Sequence, residues 1–74
     1  MLEKLREIVS IHTENTEISI TEDTLFASDL RLDSYELVMV LCDVEQTFGV
    51  EISDRDISRL KTVRDVMDYI EAKR

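Results

Sequence analysis

Proline is absent from this chain of 74 residues, and glycine occurs once, as Gly49. Tight β-hairpins favour these residue types because their turns require positive φ angles or a fixed φ, so consecutive strands have few sites at which to reverse. Clusters of Ser, Thr and Asp separate the apolar stretches instead. We therefore predict an all-α fold whose helices are joined by polar segments.

Apolar residues at helical spacing predict four helices. They span residues 1–12, 34–48, 53–60 and 63–72. Gly49 suits the left-handed end of the second helix, and Ser53 with Asp56 and Thr62 with Asp65 have the spacing of capping boxes. The residues expected to face the core are Leu2, Leu5, Ile8, Val9, Leu37, Leu41, Val44, Phe48, Ile57, Leu60, Val63, Val66, Met67 and Ile70. Four helices, one of them short, predict a small four-helix bundle.

The segment from Thr13 to Asp33 has no clean period and is predicted to be a long loop between the first two helices. Residues 17–21 alternate as in a strand, but the sequence offers no partner strand for them. A loop of this length in a small domain is usually functional. Its apolar residues are expected to pin it to the core: Ile18, Ile20, Leu25, Phe26 and Leu30.

Charge excludes several classes of function. The 17 acidic and 9 basic residues give a net charge of −8, which argues against binding nucleic-acid phosphates or anionic membranes and favours a basic protein partner. No apolar run approaches the ~18 residues of a membrane span, and the first residues lack the basic region of a signal peptide. We therefore expect no membrane insertion and a cytoplasmic location.

The inventory of reactive side chains is small. Cys42 is the only cysteine and His12 the only histidine, so neither an internal disulfide nor a structural zinc site is expected. Ser34, His12 and Asp33 do not indicate a hydrolase triad, because no strand and nucleophile elbow would place them. A chain of this length allows one small domain, residues 1–74, without a large internal cavity.

The most informative site is Asp33-Ser34, where the long loop meets the second helix. A phosphate on the Ser34 hydroxyl would lie at the positive end of the helix dipole, near backbone N–H groups that lack helical partners. Asp33 has the oxygen ligands that Mg²⁺ prefers during phosphoryl transfer. The alternative is a plain helix start in which Asp33 or Ser34 is the N-cap.

The sequence from Leu25 to Ile70 resembles the acyl carrier protein family. The resemblance rests on the stretch from Leu25 to Val38, in which Ser34 follows Asp33 and lies eight residues after a Phe and four after a Leu, and on residues 45–54 and 61–70. It implies that Ser34 bears a 4′-phosphopantetheine arm taken from coenzyme A, that Asp33 assists this modification, and that the arm's thiol carries acyl groups as thioesters. Such a carrier catalyses no reaction itself.

The resemblance also implies partners: a phosphopantetheinyl transferase, and acyl-loading and acyl-processing enzymes with basic docking surfaces that a monomeric carrier visits in turn. The residues expected to dock are Tyr35, Glu36, Met39, Cys42 and Glu45. Met39 and Gln46 stand where the family commonly has Glu, so part of this face is apolar. Either this helix is buried over a wider arc, so that these apolar residues also lie in the core, or its apolar face docks on a specialised partner.

Further departures from the family concern the backbone and the cargo. Arg31 replaces a usual Gly, which puts a left-handed backbone position in doubt, and its side chain either pairs with the added phosphate or with Glu36, or is solvated. Ile57 is bulkier than the usual residue, which predicts a narrow pocket and short or exposed cargo. The expected acyl pocket comprises Val40, Val44, Ile57 and Leu60.

Two other functions stay open at this point. Within the same fold, the cargo is either an acyl group of fatty-acid or specialised biosynthesis, or an aminoacyl, D-alanyl or peptidyl group. The alternative from another class is an acidic helical adaptor that binds a basic protein and carries no prosthetic group.

Overall fold

The computed structural model describes residues 1–13 and 19–73. Over these ranges it contains four α-helices and no strand. They are α1 (Leu2–His12), α2 (Ser34–Phe48), α3 (Asp54–Ile57) and α4 (Val63–Lys73). The predicted all-α class is confirmed, and the bounds of α1, α2 and α4 agree with prediction to within one residue. The third helix ends at Ile57 rather than Leu60, because Ser58 and Arg59 form a turn.

The core joins the three longer helices, with α1 packed against both α2 and α4. Seven of its side chains are less than 2% exposed: Val9, Val40, Leu41, Val44, Val63, Val66 and Ile70. Several predicted core residues lie half-buried at its edge, namely Leu2, Leu37, Phe48, Ile57 and Met67. The short helix α3 buries no residue completely. Its position therefore depends on contacts other than deep apolar packing.

The segment that leads into α2 is fixed to the start of α4 by backbone hydrogen bonds. The Phe26 N–H donates to the Lys61 carbonyl at 3.0 Å, and the Val63 and Arg64 N–H groups donate back to carbonyls of this segment at 3.1 and 2.8 Å. Ile20, Phe26 and Leu30 are buried as predicted, whereas Leu25 is 37% exposed. Ile18 and the start of the strand-like alternation lie outside the described residues, and residues 19–21 are not in a strand.

Two of the predicted helix ends form as expected. Gly49 closes α2 in the left-handed conformation, with φ 67°. Thr62 Oγ1 accepts a hydrogen bond from the Asp65 N–H, and Asp65 Oδ2 accepts one from the Thr62 N–H, both at 3.1 Å. The capping box predicted at Ser53 is wrong, because its hydroxyl donates to Asp56 Oδ2 at 2.8 Å instead of accepting from the backbone.

His12 links the end of α1 to α2. Its Nε2 lies 2.5 Å from Asp43 Oδ2, and the ring is largely buried while the carboxylate is partly exposed. A lone histidine gave no sequence signal for this partner, since the two residues are separated by 31 positions. The contact gives the ring a structural partner and leaves it no role in a triad with Ser34.

Candidate functional site

Ser34 is the first residue of α2, and Asp33 is its N-cap. Asp33 Oδ1 accepts the Glu36 N–H at 2.8 Å, and Glu36 Oε1 accepts the Asp33 N–H at 3.2 Å, so the two side chains form a complete capping box. This decides between the two N-cap alternatives in favour of Asp33. Ser34 is exposed, and its hydroxyl is not used to cap the helix.

The surroundings of Ser34 suit a phosphate ester. The Glu36 N–H donates to the side chain of the N-cap, Asp33. The two N–H groups before it in the helix, those of Ser34 and Tyr35, have no intrahelical partner. These donors and the helix dipole favour negative charge at this end of α2. An anion attached through the Ser34 hydroxyl would therefore be stabilised by the backbone itself.

Arg31 precedes this helix start with a left-handed backbone, at φ 55°. Leu30 and Leu32 on either side are both buried, so the turn at Arg31 lets two neighbouring leucines enter the core while Arg31 itself stays exposed. Among the described residues no ion pair involves Arg31. The left-handed position is thus kept although the residue is not glycine, and the side chain is solvated rather than paired with Glu36.

An open cleft of about 600 Å³ begins beside Ser34 and lies within the usual size range of small-molecule sites. Its apolar lining is Leu25, Phe26, Ala27, Leu37, Val38, Ile57 and Leu60. Its polar lining is Ser28, Ser34, Asp54, Ser58 and Lys61. An apolar cleft that includes the candidate attachment residue can shelter an apolar group tethered to that residue.

The cleft contains two of the four residues expected in the acyl pocket, Ile57 and Leu60. The other two, Val40 and Val44, are completely buried in the core and are absent from its lining. Residues nearer the start of α2, Leu37 and Val38, take their place. Leu37 is half-buried and Val38 is 41% exposed, and which residues of α2 reach the cleft depends on how the helix is rotated against its neighbours. Ile57 lines the cleft without filling it, which differs from the narrow pocket predicted from its size.

The exposed face of α2 is apolar. Tyr35 is 74% exposed, Met39 is 42% exposed, and Cys42 is exposed as well. The interpretation that this helix is buried over a wider arc does not agree with these exposures. Glu36 and Glu45, the two carboxylates expected to dock, are half-buried and accept hydrogen bonds from backbone N–H groups, Glu36 in the capping box and Glu45 from Ile52 at 2.9 Å.

Residues 1–13 and 19–73 contain neither a membrane-spanning helix nor a metal-binding cluster. No helix in them has the length and apolar content needed to cross a membrane. No group of His, Cys, Asp and Glu side chains in them is arranged to hold a metal ion.

Comparison with known proteins gives consistent matches along the chain. Residues 3–70 match the family model described as a phosphopantetheine attachment site. The acyl carrier protein of Thermosynechococcus vestitus is 38% identical over 73 residues, covering 99% of this chain and 90% of that protein. The acyl carrier protein of Thermotoga maritima is 37% identical over 70 residues, covering 95% of this chain and 86% of that protein.

A solved structure agrees. The acyl carrier protein from Enterococcus faecalis superposes with a TM-score of 0.81 at 32% identity, covering 99% of this chain and 92% of that chain. Full-length similarity in sequence and in fold thus accompanies an exposed serine at a capped helix start. The chain therefore belongs to the acyl carrier protein family, whose members carry acyl groups on 4′-phosphopantetheine and are not themselves catalysts.

Proposed function

We propose that Ser34 is the residue to which the 4′-phosphopantetheine arm is attached. The observation that carries this proposal is the position of Ser34: it is exposed, it opens α2, and Asp33 supplies the cap in its place. The family match implies the arm itself, whose thiol forms thioesters with acyl groups. In this proposal the free N–H groups of the first turn face the phosphate, while the arm extends from the protein surface.

Mass spectrometry tests the attachment site directly. The apo protein is incubated with coenzyme A, Mg²⁺ and a promiscuous phosphopantetheinyl transferase. We expect wild type to gain the mass of one arm and Ser34→Ala to gain none. Ser28→Ala is the matched control, because Ser28 is also an exposed serine lining the cleft, and it should be modified normally. Modification of Ser34→Ala would refute the assignment, and an unmodified wild type would favour the acidic adaptor.

We further propose that the attached acyl chain occupies the cleft beside Ser34. The support is the apolar lining, which begins at the first turn of α2 and reaches Ile57 and Leu60. A largely apolar lining accommodates an apolar chain better than a charged aminoacyl group, so we favour acyl cargo over aminoacyl or D-alanyl cargo. Octanoyl-coenzyme A and an aminoacyl donor compete to load the protein, and mass spectrometry of the product distinguishes acyl from aminoacyl cargo.

The partners of the family include the phosphopantetheinyl transferase and acyl-processing enzymes, and we propose that this chain meets them as a monomer through the exposed face of α2. The support is the uncharged surface of Tyr35, Met39 and Cys42, since Glu36 and Glu45 have partners within the chain. Its exposed, unpaired Cys42 is compatible with a reducing compartment, so we propose a cytoplasmic location.

Substitution on this face tests docking. Met39→Glu restores the acid common in the family, and we expect it to weaken binding to an enzyme that packs on the apolar face. Ile11→Glu is a suitable control, since Ile11 is 76% exposed on α1. Affinity for the native acyl-processing enzyme is measured by titration. Equal affinity of Met39→Glu and wild type would show that Met39 does not contribute to docking.

A further inference from the structure

Among the described residues, one hydrogen bond joins α3 to α4. Asp56 Oδ2 in α3 accepts a hydrogen bond from the Tyr69 hydroxyl of α4 at 2.8 Å, and a second from the Ser53 hydroxyl, also at 2.8 Å. Helix α3 has only four residues and buries none of them completely, and Ile57, which is half-buried at the edge of the core, is its one apolar residue. We call the hydrogen bond between Asp56 and Tyr69 the latch.

Both ends of the latch are well supported. Tyr69 is half-buried against the core, and the Lys73 ammonium lies 5.2 Å from the centroid of its ring. The hydrogen bond from Tyr69 and then that from Ser53 lower the pKa of Asp56, so the carboxylate is ionised at neutral pH. Hydrogen bonds to an ionised acceptor are stronger than neutral ones. The latch therefore joins the four-residue helix α3 to the longer helix α4 through a hydrogen bond to a charged acceptor.

The same short helix forms part of the cleft. Asp54 and Ile57 of α3, and Ser58 directly after it, line the cleft together with Leu37 and Val38 of α2. Any movement of α3 away from α4 changes the distance between these two sets of residues. The latch lies outside the cleft lining, so it acts on the cleft only through the position of α3.

We propose that Asp56 and Tyr69 are positioning residues that hold α3 in place as one side of the cleft and so prolong the residence of the acyl chain inside it. The inference rests on the proposed function, because it takes the acyl chain as the occupant. Its first part, that the latch positions α3, concerns the protein without any arm. Its second part concerns the exposure of the thioester to water, which rises when the chain leaves the cleft.

Hydrogen exchange of the apo protein tests the first part. Tyr69→Phe removes one hydroxyl and keeps the ring, and Asp56→Ala removes the acceptor. We expect the amides of Arg59 and Leu60, which donate to carbonyls of α3, to exchange about three- to tenfold faster in each variant, as the net loss of one typical hydrogen bond implies. The double variant should exchange no faster than Asp56→Ala alone, because Asp56→Ala already breaks the contact that Tyr69→Phe removes, together with the hydrogen bond from Ser53. Tyr35→Phe is the matched control.

Thioester lifetime tests the second part. Wild type and variants are loaded with an acetyl or an octanoyl group, and spontaneous hydrolysis is followed by mass. We expect octanoyl hydrolysis to accelerate about three- to tenfold in Tyr69→Phe and Asp56→Ala, in proportion to the exchange, with acetyl hydrolysis unchanged. A general loss of stability would instead change the hydrolysis rates of the acetyl and octanoyl thioesters alike.

Two outcomes would overturn the inference. Unchanged exchange of Arg59 and Leu60 would show that α3 is held without the latch. Faster exchange with an unchanged octanoyl lifetime would show that the position of α3 does not control the cargo. Failure of wild type to accept any arm would instead count against the proposed function, and the exchange experiment on the apo protein would still decide whether the latch positions α3.

Discussion

Arg31 has a left-handed backbone that side chains other than glycine adopt at a cost of about 1–2 kcal/mol. The cost is tolerated because the turn lets Leu30 and Leu32 both enter the core. Its side chain has no partner among the described residues, so replacing it should remove strain without removing a contact.

We expect Arg31→Gly to raise the free energy of unfolding by about 0.5–1 kcal/mol, the relief of strain being partly offset by the greater freedom of glycine in the unfolded chain. Urea unfolding measures the change. Arg31→Val is the opposing variant, because a β-branched residue tolerates positive φ poorly, and it should be less stable than wild type. A glycine variant less stable than wild type would show that the arginine side chain has a stabilising contact.

Asp33 combines a structural role with a proposed chemical one, and two substitutions separate them. Asp33→Ala should cost about 1 kcal/mol of stability because the cap to the Glu36 N–H is lost. Asp33→Asn keeps an oxygen for the cap and should be nearly as stable as wild type. If the charge assists modification through Mg²⁺, however, Asp33→Asn should accept the arm more slowly at limiting transferase. Equal modification rates for Asp33→Asn and wild type would leave Asp33 a cap only.

At the scale of the helices, the contact between α3 and α4 makes stability depend on pH. Tyr69 and Ser53, and more weakly the charges of Arg59 and Lys73, lower the pKa of Asp56 from its ordinary value of 3.8. A lowered folded-state pKa stabilises the protein fully above the unfolded value and loses this effect as the pH falls through the folded value. The contribution of the latch is therefore present at neutral pH and disappears in acid.

We expect Tyr69→Phe to be less stable than wild type by a constant amount at pH 5–7, and the difference to shrink as the pH falls below 3.8. Urea midpoints measured across this range check the prediction. Tyr35→Phe, which removes a hydroxyl from an exposed ring, should show no such pH dependence. A difference for Tyr69→Phe that is independent of pH down to full acid unfolding would mean that Asp56 is not its partner.

Prediction from sequence was most successful for the long helices, because α1, α2 and α4 have apolar periods, and α2 and α4 also have caps, that are local properties of the chain. The end of α3 was predicted wrongly, since a helix of four residues is too short to show an apolar period. The hydrogen bond between Asp56 and Tyr69 was also missed, because the two residues are 13 positions apart. The cleft was half predicted: Ile57 and Leu60 line it, but the contribution of Leu37 and Val38 depends on the rotation of α2 in the folded chain.

On the scale of the whole molecule, stability depends on a small core. A chain of this length is expected to be stable by only about 4–11 kcal/mol, so a single large core deletion removes much of the total. Ile70 of α4 is 0% exposed, whereas Ile11 of α1 is 76% exposed. Replacing Ile by Val at these two positions therefore separates the effect of burial on stability from the effect of the side-chain change itself.

We expect Ile70→Val to cost about 0.5–1.5 kcal/mol and Ile70→Ala about 2–5 kcal/mol, the larger loss including a cavity. Ile11→Val should lie within about 0.5 kcal/mol of wild type, because no buried contact is lost. Urea unfolding of the three variants measures these values. An Ile70→Ala cost comparable to that of Ile11→Val would mean that the surrounding side chains collapse into the space and that the core is not closely packed.

The net charge of −8 acts on the molecule as a whole, and it complements the apolar face of α2. Long-range attraction raises the association rate with a basic enzyme and is screened over about 10 Å at 0.1 M salt, whereas apolar contact mainly slows dissociation. We therefore expect added salt to lower the association rate with the transferase while leaving dissociation nearly constant. Met39→Glu should steepen the salt dependence and speed dissociation, measured by stopped flow or surface binding. An association rate independent of salt would show that the acid excess does not steer this encounter.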